Sequence, residues 1–529
     1  MTFDRNLLAP NALAHWAKID PGGIALEHVD GDRLTFGQLS DDMRQWAAGL
    51  SRVGVGPGHH VGTFLPNSFD GFRAVVAIGW LRATEVPLNT GYRGRMLHHA
   101  MALADVATLL TTSALAPRVA EIAGDLPALR RVVVVDVDSP NRLAGYGQAT
   151  VLGRDALEAT GPEPDTNGPD VWDTAALMFT SGTTGPSKAV VCPWGLGYQG
   201  WSYAPEEAVG PGSSVFCPLP LFHIAGRGAF QCTLARRARL VIRDKFRARA
   251  VWDDVRRTRC TTMSLVGSLT SLLWSAVPRP DDADHPVRYV LLGPMIPEIE
   301  AFEARFGVQV SVAYGQTEIG TPITTGWDHG PPSCTGRRRE VWPFPELRIV
   351  DEHDQPLGPG EVGELVVRNR EPWGINAGYY KMPGQTVEAW RNGWFHTGDA
   401  MTFDADGNFT FVDRLTDTIR RRGENISSFE VEALVCEHPA VIECAAVGVA
   451  NDHGDHDVMV YVTTGTSPLD PSELIDFLGS KMPAFMLPRY VEVIPALPKS
   501  EASARVRKSE LRGRNPGPGT WDREARVSE

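Results

Sequence analysis

The sequence predicts a layered α/β protein, with a large N-terminal unit of several α/β subdomains that includes a β-rich part, and a small C-terminal α+β domain. Three observations carry that expectation. Helical and strand periodicities alternate through the first part of the chain, the pattern of layered α/β folds. The short strand candidates there are continuous apolar runs, which parallel sheets bury on both faces. Near Asp413-Arg414 a hairpin pattern gives way to a helix-start signal, so one domain is expected over 1–413 and a second over 414–529.

Taken in order, residues 34–53 place apolar side chains at helical spacing and 61–65 read as a short buried strand. Residues 69–81 read as a second helix and 106–110 as another strand. Val132-Val133-Val134-Val135 and Leu240-Val241-Ile242 are further buried-strand candidates. The stretch 162–170, rich in Pro, Gly, Asp and Asn, reads as a loop leading into a strand over 174–179. Residues 394–411 read as a β-hairpin turning at Asp406-Gly407. Ser427-Ser428-Phe429-Glu430 has the form of a capping box for a helix through Leu434. Residues 441–449, 458–462 and 471–478 then supply strand, strand and helix. The Pro/Gly-rich stretch 513–519 and the charged end after it read as a mobile tail.

Composition narrows the function classes without choosing one. A chain of 529 residues with ordinary apolar and charged fractions is a globular protein with room for several cores. Its formal charge of −13 argues against a nucleic-acid partner, which needs a basic face. The seven cysteines form no CxxC pair and no zinc-site spacing with histidine. They read as buried thiols in a reducing compartment. The first residues show no signal-peptide pattern, and no segment reaches the roughly 20 apolar residues of a membrane helix. A soluble, cytoplasmic protein is expected.

The chemistry begins at Thr180-Ser181-Gly182-Thr183-Thr184-Gly185-Pro186-Ser187-Lys188. This stretch follows a strand, and α/β folds place ligands at the carboxyl ends of strands. Gly182 and Gly185 let backbone amides approach an anion, the hydroxyls can donate to phosphate oxygens, and Lys188 adds charge. It is not the Walker pattern. A flexible linker has the same composition, so position and company have to decide.

The nine residues resemble the phosphate-loop signature of the adenylate-forming superfamily, which comprises acyl-CoA synthetases, adenylation domains of peptide synthetases and luciferases. Further matches follow in that family's order. Tyr314-Gly315-Gln316-Thr317-Glu318 resembles its second ATP motif, and Trp394-Phe395-His396-Thr397-Gly398-Asp399 its ribose motif. Asp413-Arg414 resembles its hinge-side motif, and Arg422-Gly423-Glu424-Asn425-Ile426 the segment opening its C-terminal domain. The resemblance implies ATP and Mg²⁺ bound between a large domain and a small mobile one. It implies that Glu318 holds Mg²⁺, that Thr317 bonds the α-phosphate, and that Asp399 and Arg414 reach the ribose. Gly293, in Leu292-Gly293-Pro294-Met295, would pack against adenine, and His223, after Phe222, would face the activated acid. The carnitine-CoA ligase-type branch looks most similar, through residues 413–432 and Asn89-Thr90-Gly91-Tyr92-Arg93-Gly94. Coenzyme A is then a further candidate cofactor. Arg420-Arg421-Arg422 is either a solvated face or a site for its phosphates.

The pattern breaks near the C-terminus. Counting back from Leu511-Arg512 sets Arg505 where the family carries its catalytic lysine and Ala504 where it carries a glycine. A forked guanidinium differs in reach from a compact ammonium. Thr416 stands where the hinge usually carries Asp or Lys, and Cys192-Pro193-Trp194 replaces a common Thr-His pair. Three functions therefore stand open. The leading one is an AMP-forming carboxylate–CoA ligase that releases pyrophosphate and passes through an acid–AMP intermediate, with Arg505 serving in catalysis. The second is a diazotase that activates nitrite for an aryl amine, Trp194, Trp201 and Arg227 lining its pocket. The third is a nucleotide-binding pseudoenzyme.

Overall fold

The computed structural model describes residues 3–525 apart from 139–144, 159–163, 165, 181–186, 275, 294–298, 332–333, 341–343, 415–418, 422–423, 427, 452–454, 466–468, 499–505, 507 and 513. Its first sheet has seven strands in the order Thr150–Leu152, Arg131–Val134, Thr108–Thr111, His60–Phe64, Thr84–Pro87, Thr174–Thr180 and Lys188–Pro193. All are parallel except the last pair. The valines and leucines of these runs are buried on both faces, as their lack of alternation requires. The helix expected over 34–53 spans Phe36–Arg52, because Leu34 belongs to a short strand, Arg33–Thr35. Its start is fixed by a capping box between Thr35 and Gln38.

The second sheet has thirteen strands and changes character along its width. Arg239–Ile242, Ser214–Cys217, Thr262–Val266, Tyr289–Gly293 and Gln309–Gln316 run parallel. Beyond Gln309–Gln316 every pairing is antiparallel, which is the β-rich part. The expected hairpin is there as Phe395–Phe403 and Asn408–Arg414, with Gly407 at φ +79° in its turn. Four helices border the site: α1 (Gly94–Leu103), α2 (Trp194–Trp201), α3 (Ile224–Ala235) and α4 (Ser428–Val435). Phe230 of α3 meets Phe72 edge-on at 4.7 Å, so the two sheets share one core through their helices.

The C-terminal part builds its own four-stranded sheet from Val441–Ala450, His456–Thr464, Tyr490–Val493 and Trp521–Asp522. Two expectations are corrected here. The charged end is tied down as far as residue 525: Trp521–Asp522 pairs with Tyr490–Val493, and Arg489 bonds Asp522 and Glu524. Arg421 is neither solvated nor available to phosphates. It is 1% exposed, pairs with Asp457 at 3.0 Å and donates to the carbonyls of Phe485 and Leu487. Ser427 of the expected capping box lies outside the described residues. Met96 of α1 is packed within the core of this C-terminal part, so the two parts are in contact.

Candidate active site

Two antiparallel strands, Thr174–Thr180 and Lys188–Pro193, present the ends of the glycine-rich loop, with Thr180 opposite Lys188. Ser181, Gly182, Thr183, Thr184 and Gly185 lie outside the described residues. What the strands deliver is a convergence on Glu318. The Thr180 hydroxyl donates to Glu318 Oε1 at 3.3 Å and the Tyr379 hydroxyl donates to the same oxygen at 3.2 Å. Lys188 Nζ stands 4.7 Å from the centroid of the Tyr379 ring. The Glu318 carbonyl is held by the backbone and side-chain amides of Asn376, so a buried carboxylate is fixed beside the tyrosine that Lys188 faces.

The second half of the site is organised by Asp399. Tyr314 Oη and Gln316 Nε2 both donate to its Oδ2 at 2.7 Å, and Gln316 also reaches the Thr397 carbonyl at 3.0 Å. Strand register sets Arg414 beside Asp399. Gly315 is required because a Cβ there would meet the Gly320 carbonyl oxygen at 2.1 Å. Gly293 ends its strand at the same cavity, while Pro294 and Met295 lie outside the described residues.

A cavity of about 860 Å³ joins these groups; Thr180, Lys188, His223, Thr317, Glu318 and Asp399 all line it. A second of about 970 Å³ adjoins it, with Ile224, Ala225, Val266, Gly315, Gln316 and Asp399 lining both.

His223 stands at the start of α3 and its Nε2 lies 2.7 Å from Glu424 of the C-terminal part. Burial opposes a charge on the ring, but the Glu424 carboxylate more than offsets it and holds the imidazole above its ordinary range. Glu430 of α4 accepts from the Ser187 amide at 2.9 Å and from its hydroxyl. Burial, then Glu430 and Glu424, push the Tyr92 phenol up, so it stays neutral. Burial and the nearby Glu318 charge push the Cys192 thiol up to about 12, so it remains protonated.

Two proposed pocket residues are elsewhere. Trp194 is 1% exposed and packs against Gly79 in the core. Arg227 is committed to a buried ion pair with Glu85. Trp201 does line the larger cavity. Arg505, Ala504 and Thr416 lie outside the described residues. Sequence reading missed Tyr379, which carries no motif of its own and reaches the site through its bridge to Val190.

The fold and these residues define an AMP-binding enzyme. That family's model matches residues 13–380, and the AMP-binding enzyme C-terminal domain matches residues 430–503, so this chain belongs to the family. It is similar to a crotonobetaine/carnitine–CoA ligase of Salmonella paratyphi B, 28% identical over 514 residues, covering 93% of this chain and 96% of that one. Among solved structures, the amide bond synthetase McbA from Marinactinospora thermotolerans matches with a TM-score of 0.81 and 26% identity, over 95% of this chain and 99% of that chain. A double mutant of o-succinylbenzoate CoA synthetase from Bacillus subtilis, bound with a product analogue, shares the fold with a TM-score of 0.81 at 24% identity, covering 96% and 99%.

Proposed function

We propose that the chain is an AMP-forming carboxylate–CoA ligase. In the first step a carboxylate oxygen attacks the α-phosphorus of ATP, forming the acyl adenylate as pyrophosphate leaves. In the second the thiol sulfur of coenzyme A attacks the acyl carbonyl, AMP leaves, and the thiol proton is taken up. The observation that supports this reading is the convergence of Lys188, Glu318 and Asp399 on one cavity, with Tyr314 and Gln316 holding Asp399. Asp399 then accepts from the ribose hydroxyls, with Arg414 beside it, and Thr317 donates to the α-phosphate. Gly293 leaves room for adenine. Lys188 and the amides of the glycine-rich loop neutralise the leaving phosphates.

Glu318 suits Mg²⁺, a hard cation that prefers carboxylate and phosphate oxygens and supplies charge neutralisation at the triphosphate. Among the described residues no group of three metal-ligating side chains exists, so most of its ligands would be phosphate and water oxygens. His223, which lines the cavity and pairs with Glu424, would face the activated acid. Arg505 supplies the cation that the family's lysine otherwise brings. Domains at 1–413 and 414–529, the second mobile, belong to the same reading. Among the described residues no helix is long and apolar enough to cross a membrane. Seven free cysteines fit a reducing, cytoplasmic setting.

Pyrophosphate release over a panel of carboxylates and nitrite, with and without coenzyme A or an amine, tests this. The expected result is carboxylate-dependent release followed by a thioester. Release with nitrite and an aryl amine alone, or an amide as the only product, overturns it.

A further inference from the structure

Among the described residues, one wall of the larger cavity is made of neutral side chains. On α3, Ala225, Gly228, Ala229 and Cys232 recur at helical spacing and face it. A Cβ built on Gly228 meets nothing within 4 Å, and the same holds for Gly200, so both glycines open directly onto free space. Trp201, Tyr203, Val209 and Val215 continue the wall. Among the described residues, the ionisable side chains that line this cavity are Glu300, His329, Asp399 and Arg420, together with Tyr203, Tyr314 and the thiols of Cys232 and Cys334. None of the first four belongs to α2, α3 or the segment between.

Three arginines of the surrounding elements are held by other groups. Arg227 faces Glu85. Arg339 donates to the Gln199 carbonyl at 2.7 Å and to Ser202 Oγ at 3.0 Å. Arg236 donates to the carbonyls of Ala204 at 2.6 Å and Val209 at 3.1 Å, which fixes the loop carrying Tyr203. Its guanidinium also lies 5.3 Å from the centroid of Trp201. A positive charge therefore already occupies that ring, and a substrate ammonium would be repelled where it would otherwise find a cation–π partner. A substrate anion would find no counter-charge on the wall and would lose its hydration.

Tyr203 adds the polar element. Burial pushes its phenol up, with the Cys232 and Cys217 thiols close by, so the hydroxyl stays protonated. It lines the cavity and makes no hydrogen bond to another described residue.

We propose that the acid this site takes is neutral apart from its carboxylate, with a flat aromatic body bearing an oxygen that the Tyr203 hydroxyl meets. The small-residue face of α3 offers a smooth surface for a ring, and Trp201 an aromatic edge to it. This rests on the adenylation reading. It also separates this chain from a ligase for trimethylammonium acids.

The test is ATP–pyrophosphate exchange with naphthoate, a set of hydroxynaphthoates, glutarate, 4-(trimethylammonio)butanoate and acetate, in the wild-type chain and two variants. Naphthoates are expected to exceed the charged acids in kcat/KM. Tyr203→Phe is expected to lower the hydroxynaphthoate-to-naphthoate ratio by about tenfold, the loss of one hydrogen bond. Gly228→Leu should lower naphthoate turnover relative to acetate by about tenfold or more without lowering the melting temperature. A charged acid as the best substrate overturns the proposal, as does an unchanged ratio in Tyr203→Phe or an unchanged size profile in Gly228→Leu. Exchange with no acid at all overturns the adenylation reading together with it.

Discussion

At the scale of single residues, two buried carboxylates with different surroundings divide the labour. Glu318 accepts from the neutral hydroxyls of Thr180 and Tyr379 and lines the cavity. Glu85, 1% exposed, is instead neutralised in place: it pairs with Arg227 and accepts from Thr63 Oγ1 at 2.7 Å. Arg227 also reaches the Ala175 carbonyl at 3.4 Å, so the pair ties α3 to the first sheet directly behind the strand that ends in the glycine-rich loop. Removing one member of such a pair leaves an uncompensated buried charge, which costs about 3–5 kcal/mol. Arg227→Met is therefore expected to lower stability by about that amount in chemical denaturation, and the Glu85→Gln/Arg227→Met double variant to recover most of it. Equal losses in the single and double variants would show that the guanidinium acts by packing alone.

At the scale of elements, the C-terminal segment shows what a cation can and cannot do. Lys508 is the described basic residue nearest the place where the family carries its lysine, and it is already spent. Its Nζ lies 2.6 Å from Glu432 Oε1 and donates to Ser428 Oγ at 2.6 Å, pinning the segment to α4. Lys508→Ala is expected to lower the melting temperature while leaving pyrophosphate release unchanged. Arg505→Ala should slow release by about tenfold or more, as loss of transition-state charge neutralisation does. The reverse pattern would make Lys508 the catalytic cation. Elements of this kind differ in how legible they were. Helices such as Phe36–Arg52 and strands such as Arg131–Val134 were readable because one periodicity governs each. Thr180, Lys188, Glu318 and Asp399 could be singled out because each falls in a short distinctive run, and the structure brings all four to one cavity. The pairing of Trp521–Asp522 was not, because a charged, Pro/Gly-flanked dipeptide carries no strand signal until Tyr490–Val493 lies beside it. Nor were Tyr379 and the Glu85–Arg227 pair, which tertiary contacts bring together. Trp194 and Trp201 share one helix, yet of the two Trp201 lines the cavity, since Trp194 turns toward Gly79.

At the scale of the whole molecule, the contact between the C-terminal part and the rest adds polar pairs, one of them titratable, to the packing of Met96. His223 meets Glu424 at 2.7 Å, Ser187 bonds Glu430, and Arg95 pairs with Glu437 at 3.1 Å. Of these groups only the imidazole changes charge near neutrality. Tyr92, which faces Glu430 and Glu424, stays neutral because its phenol is pushed up. The histidine is held above its ordinary value of 6.5 in the folded contact. Its contribution is thus fully present below that value and is lost as pH rises through the raised one. Above that point the imidazole no longer offers Glu424 a positive charge across the contact, and the contact weakens. Small-angle scattering should accordingly show the radius of gyration increasing between about pH 6 and about pH 9. Glu424→Gln should be expanded at the low end already and respond less to pH, because the partner that raises the imidazole is gone. A radius that stays constant in the wild-type chain over that range, or identical curves for the two proteins, would mean that packing of Met96 into the C-terminal core holds the parts together without help from this pair.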